Sequence, residues 1–243
     1  MKTMDASHYL LQVGLDRSKV PSFDVYPYCL PVCRRLTTID LHPAVTFLVG
    51  ENGAGKSTLL EAIALASGFN AEGGSRNFGF STRASHSCLH EALTLRRGLK
   101  RPRDGFFLRA ESFYNVATEI EKLQVTGYGD RSLHEQSHGE AFMTLVMERF
   151  RGQGLYLLDE PEAALSPTRQ LALLARLHQL VQETSQFIIA THSPILLAYP
   201  GASIYSLAND SIRQVQYTDT EHYVVTRHFL NNHQAMLAEL LKA

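Results

Sequence analysis

The chain has 243 residues, of which 44% are hydrophobic, enough for a sizeable core and of a length suited to one large domain, taken here as residues 1–243. A formal net charge of −1 excludes any global pull toward nucleic acid or an anionic membrane, so such affinity would have to come from a local patch. Three cysteines, Cys29, Cys33 and Cys88, are too sparse for a disulfide framework, and the grouping His86, Cys88, His90 lacks the paired spacing of a zinc site.

The N-terminal stretch MKTMDASHYLLQV has no apolar core of signal-peptide length, so the expected location is cytoplasmic. Val45–Val49 (VTFLV) is an apolar run closed by Gly50, and Ser57–Leu65 then reads as a helix with Leu59, Leu60, Ile63 and Ala64 on one side. From about Asn70 to Phe150 the texture changes: a glycine-rich loop (71–79), a basic stretch, and a helix opening near Ser137. A smaller helical subdomain inserted over residues 70–150 is expected.

Leu155–Leu158 (LYLL) has no polar alternation, as a parallel strand covered on both faces should read. Ser166 then suits a helix N-cap, with Pro167 at the first helical position and Leu171, Leu174, Leu177 and Val181 as the apolar stripe. A third strand follows at Phe187–Ala190 (FIIA), and Ser203–Leu207 with Ile212–Tyr217 forms a terminal hairpin around Asn209 and Asp210. Residues 187–209 carry no Asp, Glu, Lys or Arg, but Thr191, His192, Ser193, Pro194, Pro200 and Gly201 interrupt them, so strand and turn fit better than a membrane span. Strand, helix, strand in this order predicts a right-handed crossover and an α/β fold, a parallel-core sheet wrapped by helices.

Two motifs carry chemistry. GENGAGKS, Gly50–Ser57, is a phosphate loop set between strand and helix, the context the pattern requires. Its glycines let the backbone N–H groups from Glu51, Asn52, Gly53, Ala54 and Gly55 through Thr58 turn toward phosphate oxygens, Lys56 reaches the β- and γ-phosphates, and Ser57 offers a hydroxyl to Mg²⁺. LYLLDEPE places Asp159 at the carboxyl end of a buried strand, where open α/β sheets bind ligands. Asp159 would hold the Mg²⁺ through water, and Glu160 would orient or deprotonate the attacking water.

On these motifs the sequence resembles the ABC-type ATPases, P-loop NTPases, and within them a branch of stand-alone bacterial ATPases related to RecF-like and SMC-like proteins. The match runs from the YPY segment at Tyr26 to the FLNN segment at Phe229. QSHGE (136–140) corresponds to the family signature in which Ser137 and Gly139 open a helix, with His138 where most members have glycine and Glu140 where transporters usually have glutamine. Ser137 and Glu140 also form a capping box, and a capped helix start presents the positive dipole end that a γ-phosphate from another subunit needs. ATHSP (190–194) resembles the switch region, which puts His192 beside the γ-phosphate. AALSP (163–167) resembles the loop that crosses the dimer interface, with Ser166 where many members have Asp. FFLRAES (106–112) occupies the place of the glutamine loop with Glu111 instead, either approaching the metal or bridging to Arg109 or Arg83. Tyr26, Tyr28 and Arg34 suit contact with the base, and tyrosines beside Pro27 equally suit a core.

The resemblance implies an ATPase using ATP and Mg²⁺, a head-to-tail homodimer sandwiching ATP, and an unidentified protein partner in DNA maintenance or defence. The alternative is the nucleotide-binding subunit of an ABC membrane transporter. Nucleic acid is a third possibility, since residues 83–109 hold seven bases (Arg83, Arg96, Arg97, Lys100, Arg101, Arg103, Arg109) against Glu91 and Asp104.

Overall fold

VTFLV has no polar position to turn toward water beyond Thr46, and in the computed structural model, which describes residues 9–75, 87–113, 115, 117–118, 133–208 and 211–242, all five residues are buried as β3 (Val45–Val49). This strand lies inside a six-stranded sheet with β5 (Asp104–Arg109), β6 (Gly154–Asp159), β7 (Gln186–Ala190), β8 (Ser203–Leu207) and β9 (Ile212–Val215), in the order β5-β6-β7-β3-β8-β9. Every pairing is parallel except the terminal β8–β9 hairpin.

Helices cover both faces. On one, Phe106, Leu108, Tyr156, Leu158, Phe187 and Ile189 pack with α4 (His138–Arg149) and α5 (Pro167–Gln182). On the other, Phe107, Leu155, Leu157 and Ile188 pack with α2 (Lys56–Ala66), whose Leu59, Leu60 and Ile63 are completely or almost completely buried. Alternate residues of each strand thus enter different cores, which is why LYLL and FIIA are apolar throughout.

The expected parallel core and βαβ order are present. Several details differ from expectation. Within residues 70–150, β4 (Leu93–Arg97) and β5 are strands, and only α3 (Leu89–Ala92) and α4 are complete helices among the described residues. Gly79 and Arg83 lie outside the described residues. The stripe of α5 is rotated by about one residue: Gln170, Leu173, Leu177 and Leu180 are buried, Leu174 and Val181 pack only in part, and Leu171 is exposed. Gln170 hid this stripe because it is polar, yet its amide donates to the Leu165 carbonyl (3.0 Å) and accepts from the Ser193 hydroxyl, so its burial costs no unpaired group. The second hairpin strand ends at Val215, and Asn209 and Asp210 are outside the described residues.

Two further parts had no counterpart in the sequence reading. One is an antiparallel sheet of β1 (Leu10–Leu15), β2 (Thr38–Asp40) and β4, in the order β2-β1-β4, beside the short helix α1 (Pro31–Arg35). The other is a C-terminal helix, α6 (Glu221–Leu240), with no buried residue. Among the described residues no helix is long and apolar enough to cross a membrane.

The two sheets are joined at Gln186, which is fully buried at the start of β7. Its Oε1 accepts from the backbone N–H groups of Tyr9 (3.1 Å) and Leu10 (2.9 Å), and its Nε2 donates to the carbonyls of Leu10 (2.8 Å) and His42 (3.0 Å). Gln186→Leu keeps the volume and strands four backbone groups, so urea unfolding should show a loss of roughly 3 kcal/mol or more. A loss under about 0.5 kcal/mol would mean that water replaces the amide.

Candidate active site

The loop after β3 needs backbone conformations that only glycine adopts freely: φ is +82° at Gly53 and +95° at Gly55. At Gly55 space is also closed, because a Cβ there would meet Val32 Cγ1 at 2.5 Å. Helix α2 opens directly afterwards with Lys56, which is 4% exposed and donates from Nζ to the carbonyls of Gly50 (2.9 Å) and Glu51 (3.1 Å). Burial lowers its pKa, and Glu160, Asp159 and Glu162 oppose that. The cation is thus wrapped in its own loop, surrounded by carboxylates.

Parallel register brings the opposing groups level. Asp159 ends β6 with Arg109 of β5 on one side and Ala190 of β7 on the other. Arg109 lies between two acids, its Nη1 2.7 Å from Glu61 Oε2 and its Nε 3.4 Å from Asp159 Oδ2. Burial pushes the Asp159 carboxyl up to about 6, against the pull of Arg109 and of a hydrogen bond from Ser57, with Glu160 and Glu111 adding to the rise. Asp159 Oδ1 is buried with no hydrogen-bond partner among the described residues. A hydroxyl beside a carboxylate with an unused oxygen is a donor set suited to a hard divalent cation, so Ser57 and Asp159 fit Mg²⁺.

Glu111 is exposed on the rim of a cleft of about 400 Å³ lined also by Ser57, Thr58, Glu61 and Arg109. The ion pairs of Arg109 run to Glu61 and Asp159, which removes it as a salt-bridge partner for Glu111 and withdraws it from the basic run. Arg96, Arg97, Lys100, Arg101 and Arg103 are exposed. Tyr28 is buried with its hydroxyl 3.6 Å from Cys88 Sγ, and Arg34 donates to the Phe23 carbonyl (2.7 Å) and pairs with Asp24, so both serve the fold. Tyr26 stands exposed on the rim of the cleft beside Ser57.

Glu160 follows Asp159 in a left-handed conformation (φ +48°, ψ +51°), a strained choice for a non-glycine residue and one that clusters at functional sites. It lines a cavity of about 170 Å³ with Asn52, Gly53, Gly55, Lys56 and Ser57. Its Oε1 lies 3.6 Å from Nε2 of His192, which leaves β7 one residue after Thr191. Burial and then Lys56 lower the His192 pKa, so the ring is neutral at pH 7.

Two residues absent from the sequence reading complete this corner. Glu162 is partly buried and accepts from the Thr191 hydroxyl (2.7 Å) and the His192 N–H, pinning the end of β7. His222, on the first turn of α6, places Nε2 2.8 Å from His192 Nδ1. The third acid of DEPE is a visible signal for Glu162; no short-range pattern marks His222.

Ser137 and Gly139 open α4. Ser137 donates to Glu140 Oε2 from both its N–H (3.1 Å) and its hydroxyl (2.6 Å), and Arg169 pairs with Glu140 at 3.1 Å. A Cβ on Gly139 would strike the Ala164 carbonyl at 2.7 Å, so the signature sits directly on the AALSP loop. Neither residue lines the cavities around the phosphate loop of its own chain.

A phosphate loop between β3 and α2, facing acids at the carboxyl ends of neighbouring parallel strands, defines a P-loop ATPase of the ABC type. The family model described as AAA domain matches residues 27–151, and the chain belongs to that family. It is 31% identical over 164 residues to the thiamine import ATP-binding protein ThiQ of Cereibacter sphaeroides, covering 60% of this chain and 70% of that one. It is 30% identical over 172 residues to ABC transporter G family member STR2 of Medicago truncatula, covering 62% of this chain but only 24% of that one, so the chain spans about a quarter of this relative. The fold matches cbiO1 from Clostridium perfringens, part of the ABC transporter complex cbiONQ, with a TM-score of 0.52 at 16% identity over 96% and 99% of the two chains. It also matches an inward-facing putative metal-chelate type ABC transporter, with a TM-score of 0.51 at 17% identity over 90% and 88%. The chain is an ATPase.

The raised Asp159 pKa makes a signed prediction. The folded carboxyl holds its proton to about pH 6 and the unfolded one to 3.8. Between these values the folded state binds more protons, so stability falls as pH rises, and the penalty is complete above pH 6. Asp159→Asn should therefore unfold at higher urea at pH 7, by on the order of 2 kcal/mol, with a flatter profile between about pH 4 and 6. Hydrolysis with Mg²⁺ should be lost in the same variant. A variant less stable than the parent at pH 7 would show that the carboxylate supports the fold.

Proposed function

We propose that the chain binds ATP with Mg²⁺ on its phosphate loop and hydrolyses it in a head-to-tail dimer, each site completed by Ser137 and Gly139 of the other copy. The backbone from Glu51 to Thr58 receives the phosphates, Lys56 balances their charge, and Ser57 and Asp159 hold the metal, with Glu111 near enough to act through a bound water. When bound, Mg²⁺ neutralises charge on the β- and γ-phosphate oxygens. Glu160 accepts the proton of the attacking water, and His192 donates from its ring to the oxygen on which charge develops.

The observation that carries this reading is the 3.6 Å approach of Glu160 to His192 above a cavity also lined by Lys56 and Ser57. A base that lines this cavity then stands beside a neutral donor. The position of Ser137 and Gly139, away from their own phosphate loop, supports the dimer. A single domain in the cytoplasm accords with this arrangement.

For the partner there are two readings. The relatives, a thiamine import ATP-binding protein and an ABC transporter G family member, favour the nucleotide-binding subunit of a membrane transporter. The resemblance to stand-alone RecF-like and SMC-like ATPases favours a protein of DNA maintenance or defence, with nucleic acid meeting at most the exposed bases between Arg96 and Arg103. Affinity purification from native membrane and soluble fractions separates them, by whether a membrane-spanning protein copurifies.

Glu160→Gln keeps size and hydrogen bonding but removes the base, so turnover should fall by roughly two to four orders of magnitude. ATP affinity in calorimetry should survive, whereas Lys56→Ala should lose it. With ATP and Mg²⁺, Glu160→Gln should elute as a dimer in size-exclusion chromatography and with ADP as a monomer. Parental turnover, or a monomer at saturating ATP, would refute the assignment.

A further inference from the structure

Helix α6 is an outlier: no residue along its length is buried, yet its first turn reaches the corner of the site where His192 meets Glu160. The approach is built. Thr220 caps the helix, donating from its hydroxyl to the Tyr217 carbonyl (2.7 Å) and receiving the Tyr223 N–H (3.4 Å). The Tyr217 hydroxyl in turn donates to the carbonyl of Pro194 (3.0 Å), two residues beyond His192. The start of the helix is therefore strapped to the segment that carries the switch histidine.

The contact this strap delivers is the 2.8 Å pairing of His192 Nδ1 with His222 Nε2. A neutral imidazole pair at this distance shares one proton along the line, so one ring donates and the other accepts. The surroundings choose between the two arrangements. If His192 donates from Nδ1, its Nε2 is bare and faces the Glu160 carboxylate at 3.6 Å, lone pair against negative charge. His222 would then carry its hydrogen on Nδ1, which is buried without a partner among the described residues. If His222 donates from Nε2, the first fault vanishes and the second is eased: His192 accepts at Nδ1 with its hydrogen on Nε2, directed at Glu160, and the buried Nδ1 of His222 is left a bare acceptor rather than a stranded N–H. Protonation of both rings is disfavoured, since burial lowers each pKa, with Lys56 next in lowering that of His192 and His192 itself next in lowering that of His222.

We infer that His222 is a positioning residue for ATP hydrolysis: by donating from Nε2 to His192 Nδ1 it holds His192 in the tautomer whose Nε2–H faces the reacting phosphate. This rests on the roles given above to His192 and Glu160. His222 itself touches neither substrate nor metal in this scheme.

Its effect should appear in kcat rather than in ATP binding. His222→Ala should lower kcat by roughly 10- to 100-fold, the size found when the group that orients a working histidine is removed, with KM for ATP little changed. His222→Gln, whose side-chain amide can donate to the same nitrogen, should restore most of the loss. Nitrogen-15 NMR of the histidine-labelled full chain supplies a readout independent of turnover: in the parent His192 should show an acceptor-type Nδ1 and a protonated Nε2, and in His222→Ala a mixture of the two tautomers. A parent spectrum with the proton on Nδ1 overturns the proposal, and so does a kcat deficit that glutamine fails to rescue. If His222→Ala does not fold, judged by its thermal transition, the parent spectrum and the glutamine variant decide. His192→Ala turning over at the parental rate would defeat the underlying role of His192 instead, whereas a dead His192→Ala beside a fully active His222→Ala would defeat this inference alone.

Discussion

The site depends on parallel register. Because β3, β5, β6 and β7 all run the same way, their carboxyl ends open onto one edge, and the pairing of Asp159 with Arg109 and Ala190 sets the acid, its cation and the turn to His192 at one height. A slip of one residue would turn Asp159 into a core and Leu158 toward the phosphate loop. The alternation of Phe106, Phe107 and Leu108 between two separate cores prevents that slip, since each face of the sheet is sealed by its own helices. Packing energy spent far from the chemistry is what holds the chemistry in line.

That alignment concentrates charge. Around Lys56 and Arg109 stand Asp159, Glu160, Glu162, Glu61 and Glu111, more acid than the two cations can offset. The result is visible in Asp159, whose carboxyl rises despite its ion pair, and in Lys56, which borrows carbonyls from its own loop. Such a site is costly to the folded chain by itself and favourable for one that receives a divalent cation, so stability is traded for binding. Glu162 stands apart in this set. Its charge is consumed by the Thr191 hydroxyl and the His192 N–H, which makes it a brace for the turn after β7 rather than a participant.

Legibility in the sequence followed interaction range. The phosphate loop and the three core strands could be read because each is a local pattern: glycines at fixed spacing, or apolar runs without alternation. β5 was concealed because DGFFLR begins and ends on charges that pair at long range, Asp104 with Arg149 and Arg109 with Glu61. The antiparallel sheet was missed for a similar reason, its β2 being only three residues and its β4 ending in exposed arginines. The stripe of α5 was misplaced because a buried glutamine counts as polar until its partners, Leu165 and Ser193, are known. Gln186 and His222 act across 176 and 30 residues respectively, separations over which no window of sequence carries a signal.

The same reasoning explains why one chain is not enough in the proposed mechanism. Each copy already aims one helix start, that of α2, at the β-phosphate, and the other side of the reacting phosphate is lined by Glu160, which repels it. A donor for that side must come without a negative charge and must be rigid. Ser137 and Gly139 meet both conditions: Glu140 is turned back onto Ser137 and neutralised by Arg169, leaving the α4 dipole uncancelled, and the close contact of Gly139 with Ala164 fixes the helix start to the loop after Glu160. Since that loop begins at the proposed base, a second copy docking on the signature would press on the base's own support, so assembly and chemistry would share one mechanical element.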